Sequence, residues 1–391
     1  MIVIHCENNN QIVLILSLPL HKFFQLSVKK LEIVRFAPRN GEGFYDTVKK
    51  NIDNYFKENN IDSFGNSAMR WKTLAMLSLF FVPYIFIVTG LAAFSPIVFF
   101  TLWFMMGLGM VGIGCSVHHD SNHGSYSDNK TVNKVVGDIV NVVGGYDVTW
   151  RIQHNILHHT YTNIVGLDED IDVGFLMRFS PHSKKYSLHR YQHIYAWFLY
   201  CLLTLQWVTY KDYRLLFLYE KKGLLRKEKI TLRKALLELS FYKILYFTYA
   251  LVLPIIFSGM PWYYVVIGFL ILHFVAGLAL SCIFQLAHVM EGCDFPNPPD
   301  DRKMENNWAV HQLLTTTNFS PRSRFVFWFV GGLNHQIEHH LFPHICHIHY
   351  PKIAKIVKNA ALAHGLPYQV QPTFAHALVQ HGKMLRKLGK D

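Results

Sequence analysis

The chain has 391 residues, of which only 16% are charged, and 38 Lys and Arg against 26 Asp and Glu give a formal charge of +12. Soluble domains carry about 25% charged residues. The composition therefore argues against a soluble multidomain protein, and it also excludes disordered, collagen-like and small disulfide-rich chains. The six cysteines are scattered and form no C-x-x-C pair, which predicts reduced thiols. Together these features indicate a membrane protein.

The first thirty residues resemble no targeting segment. Residues 12–20 are apolar, but their Lys residues follow the apolar run instead of preceding it, which is the reverse of a signal peptide. We therefore interpret residues 1–30 as a leader of unknown role or an over-called start. Residues 31–391 are predicted to form a single membrane domain.

Two long stretches, residues 73–117 and 244–290, contain no Asp, Glu, Lys or Arg. One membrane span needs about 20 apolar residues, so each stretch is long enough for two spans and a turn. Gly and Pro interrupt each stretch near its middle, where a turn is expected. The sequence thus predicts four transmembrane helices in two hairpins, at about 74–93, 96–116, 242–258 and 262–285.

The basic residues predict the orientation of these spans. They lie before the first span, in the 118–243 link and after the fourth span. An even number of spans places these regions and both termini on one side, which the positive-inside rule identifies as the cytoplasm. Residues 195–208 are apolar but too short to span comfortably, so we expect an interfacial or re-entrant helix there. No nucleic-acid motif accompanies the charge, so a nucleic-acid partner is not expected.

Histidines cluster where the predicted spans reach the cytoplasm. The groups are HDSNH at 119–123, HNILHH at 154–159, His288 at the end of the fourth span, and QIEHH at 336–340. Side chains three or four residues apart share one face of a helix, and converging imidazoles suit Zn, Cu, Fe or Ni. The sequence lacks the E-x-x-H of soluble di-iron bundles and the H-E-x-x-H of zinc proteases. It predicts a histidine-rich metal site at the membrane surface; a metal transporter is the remote alternative.

These motifs resemble the three histidine boxes of the membrane fatty acid desaturases, and the similarity extends over about residues 31–388. Gln at the start of the third box resembles the front-end branch, which desaturates between an existing double bond and the carboxyl end. The resemblance implies an all-α integral membrane fold with a cytoplasmic helical cap that carries a di-iron site. It also implies an O2-dependent enzyme that makes a cis double bond in an acyl-CoA or acyl-lipid. A hydroxylase of the same superfamily is the nearest alternative.

The resemblance also implies the iron ligands, carried over position by position. They are His119, His123, His154, His158, His159, His288, His339 and His340. Gln336 holds the first position of the third box, where we expect it to make a hydrogen bond instead of binding iron. His335 is one residue out of register and is not expected to be a ligand.

Carboxylates are expected to accept the outer N–H groups of these imidazoles. The candidates are Asp120, Glu338 and the acidic run Asp168, Glu169, Asp170 and Asp172, for which a solvated loop or a donor-docking patch is an equal alternative. Asn318 and Gln312 are expected to lie around the site or to contact the substrate headgroup. His273 is polar in mid-span, and we expect an interhelical hydrogen bond there.

The cofactors implied by the resemblance are two iron ions, with O2 as co-substrate. No HPGG haem motif occurs in the 391 residues, so the electrons are expected from a separate protein, a cytochrome b5 or a ferredoxin with its reductase. The substrate is expected in a tunnel between the spans. The double-bond position and the acyl carrier are left open.

Overall fold

The computed structural model describes residues 33–38 and 43–391, so the leader prediction lies outside the described residues. Four helices in this part of the chain are long and apolar enough to cross a membrane: α2 (Ser67–Val88), α3 (Pro96–Asn122), α10 (Leu232–Phe257) and α11 (Trp262–His288). They form two hairpins, α2–α3 and α10–α11. The prediction of an all-α membrane fold with two hairpins is confirmed.

The remaining elements form the cap that carries the ends of the spans. Its helices are α1 (Phe44–Glu58), α4 (Lys130–Gly137), α5 (Ile139–Val142), α6 (Asp147–Arg151), α7 (Gln192–Cys201), α8 (Leu203–Gln206), α9 (Asp212–Lys221), α12 (Trp308–Thr315), α13 (Arg324–Phe329), α14 (Gln336–Leu341), α15 (Tyr350–Ala363) and α16 (Phe374–Lys390). Two short strands, β1 (Asn318–Phe319) and β2 (Val370–Gln371), pair in parallel with Asn318 opposite Val370.

The helices that contain the first and third predicted spans begin earlier than predicted, and each contains a buried, paired lysine. Helix α2 begins at Ser67, not near 74, because Asn66 accepts hydrogen bonds from the first-turn amides. Lys72 thus lies in the helix, where its ammonium is buried 2.8 Å from Nε2 of His347. Helix α10 begins at Leu232, not at 242. Its Lys243, which the predicted span already included, is buried 2.7 Å from the carboxylate of Asp212. Sequence shows the charge but not the partner that makes its burial tolerable.

Glycines bring α3 into close contact with two other spans. A Cβ on Gly109 would lie 2.6 Å from the backbone nitrogen of Phe80 in α2. A Cβ on Gly107 would lie 2.8 Å from the carbonyl oxygen of Leu272 in α11. Small residues permit such close approach of membrane helices, and α3 is therefore held between α2 and α11.

The apolar stretch 195–208 does not form a fifth span in the described residues. It becomes the short helices α7 and α8, which pack along α11 and are followed by a π-helical turn at Trp207–Lys211. A second short apolar stretch, residues 325–333, contributes only to the short α13. The even number of candidate spans that the orientation argument needs is preserved.

Mid-span His273 makes the predicted interhelical hydrogen bonds. Its Nε2 lies 2.9 Å from the hydroxyl of Tyr246 in α10, and its Nδ1 lies 3.0 Å from the hydroxyl of Thr204 in α8. These contacts join three helices inside the apolar layer and leave both ring nitrogens partnered.

Two π-helical turns lie at histidine boxes: one precedes the first box and the other contains His154 and His158 of the second. One occupies Ile113–His118 inside α3, and the other, Ile152–His158, continues α6 into a last turn at His159–Tyr161. A π turn adds a residue to the helical turn and is frequent at functional sites. In the two boxes His119, His154, His158 and His159 are buried and His123 is half-buried.

Candidate metal centre

Five histidines from three elements form the first of two clusters. Cluster 1 consists of His119, His123, His154, His159 and His339. The Nε2 atom of His154 lies 3.1 Å from that of His119 and 3.2 Å from that of His159. The Nε2 atoms of His159 and His339 are 2.9 Å apart. One nitrogen each from His119, His123, His154 and His339 lie mutually within 4.8 Å.

Three further histidines form cluster 2, which consists of His158, His288 and His340. One ring nitrogen of each lies within 4.8 Å of the others, and the ring centroids are 4.7 to 4.9 Å apart. The two clusters adjoin, since the rings of His159 and His340 are stacked with centroids 4.4 Å apart. Sequence neighbours therefore serve different clusters, because adjacent helical residues point in different directions.

A buried carboxylate orients His158 in cluster 2. Nδ1 of His158 donates to Asp168, whose two oxygens lie 3.1 Å away, and Asp168 also accepts the backbone N–H of Asn163 at 2.8 Å. Burial lowers the pKa of His158, but Asp168 and Asp170 outweigh it and raise that pKa to about 9. Burial raises the pKa of Asp168, but the His158 charge and the hydrogen bonds lower it below its usual value. The carboxylate therefore fixes the ring with Nε2 turned to the cluster.

The other two rings of cluster 2 are held in the same manner. Nδ1 of His288 donates to the carbonyl of Thr315 at 3.2 Å. Nδ1 of His340 donates to Oε1 of Gln312 at 2.8 Å, and that oxygen also accepts the Thr162 hydroxyl. Nε2 of His340 is buried and has no partner among the described residues.

Cluster 1 has fewer outer partners. Nδ1 of His339 lies 3.2 Å from the hydroxyl of Tyr350. Nδ1 of His119 and Nδ1 of His159 are buried without partners in the described part of the chain. Burial, followed by repulsion from neighbouring imidazoles, lowers the pKa values of His154, His159 and His339 well below the usual value. These rings are neutral and keep free lone pairs.

Both clusters fit metal ions. Imidazole nitrogens bind a metal at about 2.0–2.1 Å, so two such ligands at right angles lie about 3 Å apart. The Nε2 atoms of cluster 1 that approach each other do so at 2.9 to 3.2 Å. A buried, neutral, imidazole-rich donor set suits a late first-row metal. The eight histidines that sequence reasoning singled out are brought together here.

Two predicted outer carboxylates contact other groups. Asp120 accepts from Nδ1 of His347 at 2.7 Å and from the thiol of Cys346 at 3.0 Å, and it lies 3.9 Å from Nδ1 of His119. The approach of His347 and its contact with Lys72 gave no signal in the sequence, because the residues are far apart in the chain.

Glu338 lies in the third box, and its hydrogen-bond donors are other residues than the cluster histidines. It accepts from the amide of Asn318 and from the hydroxyl of Tyr368, both at 2.8 Å, and lies 3.6 Å from Nδ1 of His335. The amide oxygen of Asn318 in turn accepts the backbone N–H of Ile337 at 2.9 Å. Asn318 and Glu338 thereby tie β1 to α14.

The acidic run 168–172 divides among different tasks. Asp168 orients His158, whereas Glu169 accepts from Tyr219 and pairs with Lys222 outside the clusters. Asp170 lies 3.4 Å from Nδ1 of His158 and accepts from Gln153. The side chain of Asp172 is exposed. Gln336 is buried, with an amide oxygen that has no partner among the described residues.

An apolar cavity borders cluster 1. His119 and Trp150 line it beside the cluster, and Met110, Leu280 and Thr204 line it between α3, α11 and α8. Nine residues of helix separate Met110 from His119, about 13 Å along α3. A long apolar molecule lying in this cavity would pass directly beside the histidines.

Comparison with known proteins agrees with this architecture. The family described as fatty acid desaturase matches residues 94–372. The chain is 34% identical to the sn-1 linoleoyl-lipid 6-desaturase of Synechocystis over 92% of this chain and 98% of the relative. It is 35% identical to the acyl-lipid (8-3)-desaturase of Physcomitrium patens over 92% of this chain and 74% of the relative. It is 32% identical to the Delta(5) fatty acid desaturase A of Dictyostelium discoideum over 89% and 75%, respectively.

Proposed function

The chain belongs to the fatty acid desaturase family, and we propose that it introduces a cis double bond into an acyl chain of a membrane lipid, between an existing double bond and the carboxyl end. The observation that carries this proposal is the apolar cavity that runs from between the spans to His119 in cluster 1. The names of the relatives support an acyl-lipid substrate, and an acyl-CoA is the alternative carrier.

The substrate explains why histidine clusters lie beside an apolar cavity. An acyl methylene offers no acidic proton and no polar group, so acid–base residues alone have nothing on which to act. We assign one iron to cluster 1 and a second to cluster 2, held by the eight histidines. With O2, two electrons and two protons, these irons would supply the oxidising power that removes two hydrogens from adjacent carbons and leaves two waters.

The protein residues position the reactants. Asp168, Gln312 and the Thr315 carbonyl hold the rings of cluster 2 so that their Nε2 atoms point inward. The apolar walls formed by Met110 and Leu280 exclude water from the acyl chain. The cavity thus binds the chain by burial of its surface and presents it to the site without polar contacts.

The electrons enter from outside the chain in this proposal. We infer a separate cytochrome b5 or ferredoxin with its reductase as the donor, reached from the cytoplasm. The basic residues that flank the spans support an orientation with the metal centre and both termini on the cytoplasmic side. We further propose that residues 31–391 act as one membrane domain.

Expression in a host that supplies a donor tests the proposal. Cultures receive an eighteen-carbon acid with two double bonds or a twenty-carbon acid with three, and membrane lipids are analysed by mass spectrometry. We expect a new cis bond nearer the carboxyl end. Hydroxylated chains identify a hydroxylase instead, and unchanged lipids with altered metal uptake identify a transporter. Incubating membranes with a CoA ester or a phospholipid distinguishes the two acyl carriers.

A further inference from the structure

A buried ion pair joins α10 to two other segments of the chain. The ammonium of Lys243 donates to the carboxylate of Asp212 and to the backbone carbonyls of Gly144 and Trp207, each at 2.7 Å. Lys243 is 4% exposed and Asp212 is 5% exposed. An ammonium has three donors, and each of the three has a protein acceptor here.

Both carbonyls belong to residues that line the cavity. Gly144 lies in the turn before α6, and Trp207 begins the π-helical turn after α8. These two segments are 63 residues apart in sequence, and Lys243 bridges them. The position of this part of the cavity wall therefore depends on one side chain that does not itself line the cavity.

The acidic partner extends the connection toward the second histidine box. The second oxygen of Asp212 accepts the hydroxyl of Thr149 at 2.7 Å. The next residue, Trp150, lines the cavity, and its ring lies 4.5 Å from that of His154 in cluster 1. Lys243 and Asp212 thus connect the cavity wall with the element that carries His154 and His159 of cluster 1.

The wall has little room to move at this point. Gly144 has a φ of +94°, and a Cβ there would lie 2.6 Å from Val208 and 3.3 Å from the ring of Tyr246. A shift of the Gly144 turn would therefore displace Val208, which also lines the cavity. A displacement of the Gly144 turn at the ion pair would therefore alter the wall of the cavity.

We propose that Lys243 and Asp212 are positioning residues that determine which carbon of the acyl chain lies beside the metal centre. The inference rests on the proposed function, in which the cavity holds the acyl chain. Successive methylenes are chemically alike, so selection between positions comes from the wall that holds the chain. A tenfold preference between two positions needs only about 1.4 kcal/mol of difference in the transition state.

This role is separable from stability. Replacing a buried ion pair by apolar side chains of similar volume is often neutral or stabilising, whereas removing one partner leaves an uncompensated charge. An apolar pair can preserve the packing of α10 but cannot bind the carbonyls of Gly144 and Trp207. The double variant Lys243→Met/Asp212→Leu therefore removes the positioning contacts without leaving a buried charge.

The test compares Lys243→Met and the double variant with wild type and with Arg178→Met. Arg178 is a matched control, because it is a buried cation that donates to the carbonyls of Ser183 and Leu388 and lies outside the cavity lining. The ratio of double-bond positional isomers is measured in membrane lipids, with protein amount and iron content as parallel readouts. We expect the minor isomers to rise about tenfold relative to the main product in both test variants, and to stay unchanged in the control.

A merely structural pair would lower the protein amount and total product together and leave the isomer ratio at its wild-type value. That result in either test variant overturns the inference. If the wild type forms no double bond, the proposed function fails, and the inference fails with it. An active wild type with unchanged ratios in the variants overturns only the positioning role.

Discussion

The two histidine clusters differ in how their rings are held. In cluster 2 the Nδ1 atoms of His158, His288 and His340 each have an acceptor, namely a carboxylate, a backbone carbonyl and an amide oxygen. In cluster 1 the Nδ1 atoms of His119 and His159 have no hydrogen-bond partner among the described residues, and the nearest carboxylate to His119 Nδ1, that of Asp120, is 3.9 Å away. Outer acceptors fix the orientation and basicity of metal-binding imidazoles. Cluster 2 is therefore preorganised by its surroundings, whereas cluster 1 depends mainly on the packing of its own rings.

The clusters differ in charge as well. Asp168 and Asp170 keep His158 protonated in the metal-free protein, whereas burial and neighbouring rings keep His154, His159 and His339 neutral. Metal binding to cluster 2 must displace a proton, and binding to these cluster 1 rings need not. The difference predicts separate responses to mutation and to pH.

Removing one ring from either cluster gives the largest expected effect. His158→Ala in cluster 2 and His339→Ala in cluster 1 each delete an inward nitrogen from a buried site. We expect the product to fall below detection and iron per protein to drop from about two toward one. Lipid analysis and metal analysis of purified protein measure the two effects.

The control for these variants is His376→Ala, which changes an exposed histidine outside both clusters. It should keep full activity and iron. Product formation by both cluster variants at wild-type rates would contradict the assignment of the eight histidines. Loss of protein from the membrane in every variant would instead indicate a role in folding.

The next largest effect is expected at the outer hydrogen-bond partners of the rings, where variants of the two clusters should lose different amounts of metal affinity. Asp168→Asn removes the carboxylate that orients His158, and loss of such a partner typically costs 10–100-fold in metal affinity or activity. Tyr350→Phe removes the hydroxyl next to His339 in cluster 1. We expect a loss of only about threefold, because cluster 1 has four further histidines. Equal losses of iron in both variants would show that cluster 2 does not depend more on its surroundings.

The pH dependence of metal binding sharpens the same contrast. The pKa of His158 is raised to about 9, so below that pH the ring must lose a proton before it binds metal. Apparent ferrous-ion affinity at cluster 2 should rise about tenfold per pH unit from about pH 6.5 to 8.5. Asp168→Asn removes the main cause of the raised pKa and should flatten this dependence.

Titration of metal-free protein with ferrous ion, under anaerobic conditions, measures both sites. Cluster 1 supplies the control within the same molecule, because the pKa values of three of its rings are lowered. In the metal-free protein the free energy of unfolding depends on pH in the opposite direction to the metal affinity. The raised pKa of His158 contributes stability below about pH 6.5, and this contribution is lost as the pH rises through about 9. A wild-type affinity that is flat across the range would contradict the ion pair with Asp168.

The sequence predicted the composition of the site better than its connections. Spacing and motif identified the eight histidines and included Asp168 among the possible acceptors. They did not rank Asp168 above Asp172. The two residues differ in burial, since the run folds as turns in which Asp168 is buried and Asp172 is exposed, and the sequence pattern does not show that difference. The carbonyl of Thr315 and the hydroxyl of Tyr350 carried no signal, since a backbone acceptor and a distant hydroxyl look ordinary in sequence.

The same limit explains the errors in the fold. Uncharged runs located two hairpins, but α2 begins before residue 74 and includes Lys72, which is partnered by His347. His347 is remote in sequence, so the chain gave no reason to allow that charge in a membrane helix. Long-range pairing of buried polar groups is the information that single-sequence patterns do not contain.

The smallest effect is expected at Glu338, which was predicted to orient a cluster histidine but accepts from Asn318 and Tyr368. Glu338→Gln keeps the side-chain volume but replaces one acceptor oxygen with an amide donor. This mismatch should destabilise the tie between β1 and α14 by about 1–3 kcal/mol. We expect a lower unfolding temperature and a few-fold loss of product, with iron retained in both clusters.

Asp172→Asn, on an exposed side chain, is the matched control for Glu338→Gln and should change neither the unfolding temperature nor the amount of product. Loss of iron in Glu338→Gln at unchanged stability would mean that this carboxylate supports a metal cluster. Asp168 would then no longer be the one carboxylate on which the contrast between the two clusters depends.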